Sequence, residues 1–453
     1  MKNFNDFSKI CIYFLTLLFL LNLSSVYAQW QKIYIDTLAV GAVIPIAADI
    51  ENDGDIDIIL NQITDFNTFA GKIVWYQSPN WIKRNIQDNF GMAKASDLNN
   101  DGQSDIITTN ISTGEVVWYE YPSWDKHIIS TYLRLSLSLE VIDLDKDDDT
   151  DIIVIGAKDN KVKIVWYEAP DWAVHTISED FYSPCFGLKC VDVDLDNDID
   201  IIAPTGDGIF WFEAPAWNSH DIDTLKIGRN IIDIGDIDND GDIDVLVGES
   251  ESGRVIYYEN PTWSQNVVDW IGGPWGVVLA DLDKDNDLDI VVGGQDDDIV
   301  CWYESPSWTK YIIDDTLDEA SGLCVIDING DSLTDIVACC LFGSQLVLYK
   351  AIETKVNSKD LTPKKPKNLI LQQNFPNPFN FSTTIRFQLP RSEYITLKVF
   401  DILGNEIETL ISGYKSAGDY EISYNENNLA SGIYFYILHF GSIIEIKKMI
   451  LLQ

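Results

Sequence analysis

Histidine and methionine are scarce in this chain, four and three among 453 residues. Between Trp30 and Lys350 there is no Gly-x-Ser-x-Gly elbow, no glycine-rich phosphate loop and no zinc-spaced cluster of Cys and His. The hydrolases, nucleotide enzymes and zinc proteins that those motifs announce are therefore poor readings. The same region lacks sustained helical periodicity. Basic residues are few: 31 against 72 acids, for a net charge of -41. Such a surface repels nucleic acid and anionic lipid, and suits cations or a solvated exterior. Cysteine is sparse as well. Beyond Cys11 there are Cys185, Cys190, Cys301, Cys324, Cys339 and Cys340, mostly inside apolar strand patterns where a free thiol packs as a small hydrophobe. Cys185 with Cys190 is the pair to test as a disulfide.

What is present begins with a leader. Lys2 and Lys9 flank the start, Ile10 to Leu23 is mostly apolar, and Val26-Tyr27-Ala28 is a small-residue cleavage site. The apolar run is shorter than the ~20 residues of a membrane span. Residues 1–28 are read as a signal peptide, with no transmembrane segment after its cleavage.

One motif then recurs seven times, starting at Asp49, Asp97, Asp143, Asp192, Asp236, Asp281 and Asp327. The spacings of 48, 46, 49, 44, 45 and 46 residues match a four-stranded propeller blade of ~40–50 residues. Each repeat holds four β-branched or aromatic runs bounded by Gly, Asp and Pro. Six repeats introduce the fourth run with Pro-x-Trp, at Trp81, Trp124, Trp172, Trp217, Trp263 and Trp308. The seventh stops at Lys350 without it, yet Trp30 to Ile35 supplies such a run at the N-terminal end. This offset predicts that the first strand closes the last blade, leaving no free sheet edge.

In each motif, positions one, three, five and nine carry oxygen side chains that can turn toward one centre. The candidate metal ligands are Asp49, Glu51, Asp53 and Asp57; Asp97, Asn99, Asp101 and Asp105; Asp143, Asp145, Asp147 and Asp151; Asp192, Asp194, Asp196 and Asp200; Asp236, Asp238, Asp240 and Asp244; Asp281, Asp283, Asp285 and Asp289; and Asp327, Asn329, Asp331 and Asp335. Hard cations such as calcium take six to eight oxygens. An EF-hand would require Glu at position twelve between helices. Here that position is Leu60, Thr108, Val154, Ala203, Val247, Val292 or Ala338, between strands. An Asp/Asn/Gly turn without metal explains one copy, but seven in register would crowd carboxylates at a cost in repulsion. Loops two and seven hold only three acids each, and position six is Gly in loops one, two and five only.

These repeats resemble the FG-GAP/VCBS family over about Trp30 to Lys350, although the literal Phe-Gly-Gly-Ala-Pro string is missing. The resemblance implies a seven-bladed β-propeller, calcium in the loop between the first two strands of a blade, and ligand binding on the opposite face. Its members include adhesins, carbohydrate-binding proteins and a few carbohydrate-active enzymes.

His127, His175 and His220 each follow a Pro-x-Trp tryptophan by three residues. They therefore belong to equivalent outer strands of separate blades and cannot converge on a substrate. Twelve of 14 tryptophans fall in repeat register. The exceptions, Trp270 and Trp275, precede the first strand of blade six, and equivalent connections hold Tyr132, Arg134, Phe181, Tyr182 and Arg229. These seven are the candidate ligand-binding residues; packing against the channel or between blades is the competing reading.

A Lys- and Pro-containing stretch, residues 351–367, reads as a linker. Residues 368–453 alternate apolar and polar positions between turns at Leu403-Gly404, Ser416-Ala-Gly418 and Ala430-Ser-Gly432, as in a small Ig-like β-sandwich. The unit resembles the type IX secretion sorting domain in Asn374-Phe-Pro-Asn-Pro-Phe-Asn380, Leu397-Lys-Val-Phe-Asp-Ile-Leu-Gly404, Ser431-Gly-Ile-Tyr-Phe-Tyr436 and Lys447-Lys-Met-Ile-Leu-Leu452. That resemblance implies Sec export, then outer-membrane passage by the type IX machinery, to the surface or the medium. The expectation is an all-β, calcium-binding exported propeller, residues 29–350, that binds a glycan or surface protein. The alternatives are a polysaccharide lyase or dehydratase on the same scaffold and a purely structural surface module.

Overall fold

The computed structural model describes residues 29–352, apart from 66, 69, 89–90, 160, 182–185 and 225–229, and residues 369–452, apart from 375, 390–392, 403, 416–417, 426–428 and 441–442. The expected leader, most of the expected linker, and Cys185, Tyr182, Arg229 and Leu403 lie outside the described residues. No helix occurs among those described, and so no helix there is long and apolar enough to cross a membrane.

The chain divides into two compact units, residues 1–354 and 355–453. In the first, seven antiparallel sheets each contain four strands. Sheets 1 to 6 are continuous in sequence: residues 42–87, 93–130, 134–181, 189–223, 230–270 and 274–314. Sheet 7 combines Ala320–Ile326, Asp335–Cys340 and Leu346–Ile352 with the N-terminal strand Gln29–Asp36. The latter pairs Trp30 with Ala351 and Ile33 with Leu348. Ala351 and Ile352, expected to open the linker, thus continue a strand.

Apolar pattern follows strand position. The second strands, such as Asp151–Lys158, read as unbroken apolar runs because neighbouring sheets cover both faces; Ile152 to Ile155 are fully buried. Each such side chain contributes ~1.5–3 kcal/mol, and Ile153→Ala would cost ~2–5 kcal/mol. Outer fourth strands, such as Asp125–Ser130, are half-exposed and more polar. The core lies between sheets: seven apolar clusters each join two neighbours, including one of Ile58, Leu60, Val74 and Tyr76 of sheet 1 with Val337, Leu346 and Leu348 of sheet 7. Sheet 7 thereby meets sheet 1, and the ring closes as in a β-propeller.

Antiparallel order places the acidic loop (first to second strand) and, in sheets 1 to 6, the Pro-x-Trp turn (third to fourth) at the same end of the sheet. The sheet-to-sheet connections fall at the other end.

In the second unit, a three-stranded sheet (Ile370–Leu371, Ser382–Leu389, Gly418–Asn425) and a four-stranded sheet (Glu406–Lys415, Glu393–Phe400, Gly432–Phe440, Ile443–Leu451) share one core. Buried Asn374 organises its start. Its side-chain amide donates to Thr383 Oγ1 at 2.8 Å, and its backbone N–H donates to Tyr436 Oη at 2.7 Å. Ile450 N–H donates to Asn377 Oδ1 at 2.9 Å, so the Asn-Pro motif is tied to the last strand.

Candidate cation loops and channel mouth

The seven loops share one backbone shape. Position four has left-handed φ in every copy, from 54° at Asn52 to 71° at Gly330, and so has position six, from 65° at Ser332 to 99° at Gly241. Gly, Asn and Asp tolerate this region best, which explains why Asp148, Asn197 and Asn286 can replace glycine at position six.

Carboxylates hold that shape. The position-one Asp accepts the N–H of position six in every loop, at 2.6 to 3.1 Å, and in all but loop six also that of position five. In loop six Asp281 accepts from Lys284 instead, at 2.7 Å. The position-five Asp accepts the N–H of position seven, at 2.8 to 3.0 Å. The position-nine Asp is buried in all seven sheets. One of its oxygens accepts the N–H just after the third strand in sheets 1 to 6, as Asp151 does from Ala169 at 2.8 Å, and near the end of that strand in sheet 7, where Ala351 donates to Asp335 at 2.7 Å. The other takes the position-two N–H in loops two to seven, as Asp151 does from Leu144 at 3.0 Å. Position nine is thus a clamp between loop and sheet as well as a candidate ligand.

Convergence differs among loops. Asp143, Asp145 and Asp151 bring carboxylate oxygens within 4.8 Å of one another, as do Asp192, Asp194 and Asp200; Asp236, Asp238 and Asp244; and Asp281, Asp283 and Asp285. These clusters could hold metal ions. No such trio forms among the described residues of loops one, two and seven. There Glu51 accepts the amide of Gln77 at 2.7 Å, Asn99 Oδ1 accepts Asp101 N–H at 3.0 Å, and Asn329 donates to Asp335 at 2.8 Å.

The electrostatics fit a cation. Burial pushes Asp57, Asp105, Asp151 and Asp244 up to about 6 and Asp289 to about 7, against the backbone N–H bonds that lower them; neighbouring carboxylates add to the rise. Burial and neighbouring acids likewise raise Asp145, Asp194 and Asp238. Asp57 Oδ2 and Asp283 Oδ1 are buried without a hydrogen-bond partner. Such oxygens suit a hard divalent ion.

The outer-strand histidines do not converge. His127, His175 and His220 pair through Nε2 with Glu120, Glu168 and Glu213 of their own sheets, at 2.8, 2.6 and 2.7 Å. They lie over Trp118, Trp166 and Trp211.

The ligand-binding candidates are dispersed. Trp275 lines a cavity of about 370 Å³ in the central channel, with Phe186 near it at 6.3 Å between ring centroids. Trp270 ends the strand Ser264–Trp270 and is 63% exposed. Tyr132 is half-buried under the Lys158 ammonium, and Arg134 is exposed; neither lines that cavity. Phe181 is a correction. It is buried against Phe210 and Phe212. A register shift between Val162 and Ile164 carries its strand inward, making it a core residue. Sequence reasoning missed Phe186, Asn61 and the channel charges Lys94, Glu140, Lys189 and Asp233. Their common place three residues before a loop's first Asp would have revealed the four charges.

The described cysteines, Cys190, Cys301, Cys324, Cys339 and Cys340, are free thiols.

Two family models match parts of the chain. FG-GAP-like repeats are found at residues 97–154 and 236–292, and a secretion system C-terminal sorting domain at 373–452. The chain is thus a β-propeller protein with a type IX sorting tail. That tail indicates export to the cell surface or the medium and implies interaction with the type IX machinery. No curated protein matches the chain. Among solved structures, an oligogalacturonate lyase from Vibrio parahaemolyticus is similar with a TM-score of 0.44 and 8% identity, over 72% of this chain and 97% of that one.

Proposed function

We propose that this exported propeller holds calcium in its acidic loops and uses the opposite face, at the mouth of the central channel, to bind a glycan or a surface protein. The observation that carries the reading is the convergence of three carboxylates within 4.8 Å in four successive sheets. Calcium would be held by Asp143, Asp145, Asp147 and Asp151 of loop three and the matching residues of loops four to six, and it would offset the repulsion within each loop. Because position nine clamps the loop to the third strand, occupancy would stiffen the sheet to which the binding face belongs. Trp275 is the aromatic residue best placed to meet a ligand.

Elemental analysis of the purified protein tests the first half, with several tightly held calcium ions expected per chain. Retention of none overturns it. A glycan array, run beside an assay for unsaturated sugar products, tests the second. Binding without turnover is expected; turnover would make the protein an enzyme, and silence in both assays a structural module.

A further inference from the structure

The residue three places before the first Asp of each loop faces the central cavity in all seven sheets. In sheets 2 to 5 it is Lys94, Glu140, Lys189 and Asp233, an alternation of charge around the ring. In the other sheets it is Ile46, Val278 or Cys324. Lys94 pairs with Glu140 at 2.8 Å and Lys189 with Asp233 at 2.7 Å. Two residues earlier, three of the seven positions are glycines, 187, 276 and 322, all of which line the cavity. The rings of Trp275 and Phe186 line the same cavity. Asn61 also lines the cavity; it is 2% exposed, and its Oδ1 has no hydrogen-bond partner.

We infer that this cavity is a subsite for one neutral, ring-shaped polyol, the terminal sugar of a glycan. The inference rests on the ligand-binding reading above and names its ligand class. The four girdle charges cancel, and each is already paired. An anionic ligand would have to displace a carboxylate, and a cationic one a lysine. The chain's net charge of -41 further disfavours a polyanion. A wholly apolar ligand would cover the ion pairs and leave Asn61 Oδ1 unsatisfied, which is costly. Sugar hydroxyls both donate and accept, so they can bond lysines, carboxylates and Asn61 without breaking either pair. The C–H face of the ring would lie against Trp275. The volume of about 370 Å³ sits at the small end of ligand sites, ~300–1,000 Å³.

The test is calorimetry and saturation-transfer NMR on the calcium-loaded protein with glucose, galactose, mannose and fucose, and with glucuronate and galacturonate as charged counterparts. At least one neutral sugar should bind, with its uronate at least tenfold weaker. Trp275→Ala and the shape-preserving Glu140→Gln should each weaken binding about tenfold, with unchanged melting temperatures as the fold control. Should Trp275→Ala fail to fold, Glu140→Gln decides alone. Binding that is unchanged in the folded variants, or equal for uronates, overturns the cavity assignment but leaves ligand binding elsewhere on the face intact. Silence of every sugar with a positive glycan array also removes the cavity alone, whereas silence in both removes both readings.

Discussion

The hydroxyl of Tyr76 donates to the carboxylate of Asp36 at 2.7 Å, joining residues 40 apart across the seam where the N-terminal strand meets sheet 1. Lys83 completes the group, 2.6 Å from the same oxygen. Other junctions repeat the arrangement: Tyr303 with Asp269 and Lys310, Tyr349 with Asp314 and Lys32, and Tyr258 with Asp223. Each time, an Asp at the end of one sheet's fourth strand accepts from a Tyr in the next sheet's third strand. The closing seam therefore uses the same bond as the three internal junctions from sheet 4 to sheet 7.

Tyr76→Phe should lower unfolding free energy by about 1.5–3 kcal/mol, the range for a hydrogen bond to a charged group. Tyr303→Phe should cost a similar amount. Urea melts of both variants check this. A Tyr76 variant that melts like the parent would mean the seam bond contributes nothing.

Acid should weaken the same seam. Burial would raise the Asp36 carboxyl, but Lys83 and Tyr76 outweigh it and hold it below its ordinary value. Against a similar burial effect, Lys32, Thr316 and Tyr349 hold Asp314 down. With folded values below the unfolded value of ~3.9, their stabilisation is present above that pH and lost as pH falls through the folded values. Between pH 5 and pH 3, on the order of one unit either side of that value, the parent should lose more stability than an Asp36→Asn/Asp314→Asn double variant. Parallel pH profiles would contradict the assignment.

Chelation should lower the melting temperature by many degrees. An ion that binds only the folded state at 100 times its Kd stabilises by ~2.7 kcal/mol per site. Asp145→Asn and Asp238→Asn, in converging loops, should reduce the calcium-dependent part of the shift more than Asn99→Ala or Asn329→Ala. Scanning calorimetry with and without chelator measures it; identical curves would remove the calcium reading.

Leu195 sits at position four of its loop with a φ of 61° and is 62% exposed. A branched apolar side chain gains little there and bears the left-handed penalty. Leu195→Asn should therefore stabilise the protein by about 1 kcal/mol. Denaturant melts in matched calcium would detect it, and a loss of stability would show that the side chain packs usefully.

Legibility in the sequence tracked locality. The acidic loop spans nine residues, so its oxygens, its tight turns and its sevenfold register could be read from Asp49 to Asp335 directly. The missing fourth strand after Lys350 was legible because Trp30 carries the repeat's own marker. The channel charges were not, since Lys94 or Glu140 taken singly resembles any strand charge. Phe181 was misplaced because a register shift, invisible in composition, turns it into the core.

Local chemistry alone thus determined the strand pattern, the loop shape and the sorting tail, since each depends on residues near one another in the chain. Tertiary structure decided which loops bring three carboxylates together, and that Trp275, Asn61 and four alternating charges meet in one cavity. The cavity groups come from different sheets, and only closure of the ring brings them within reach.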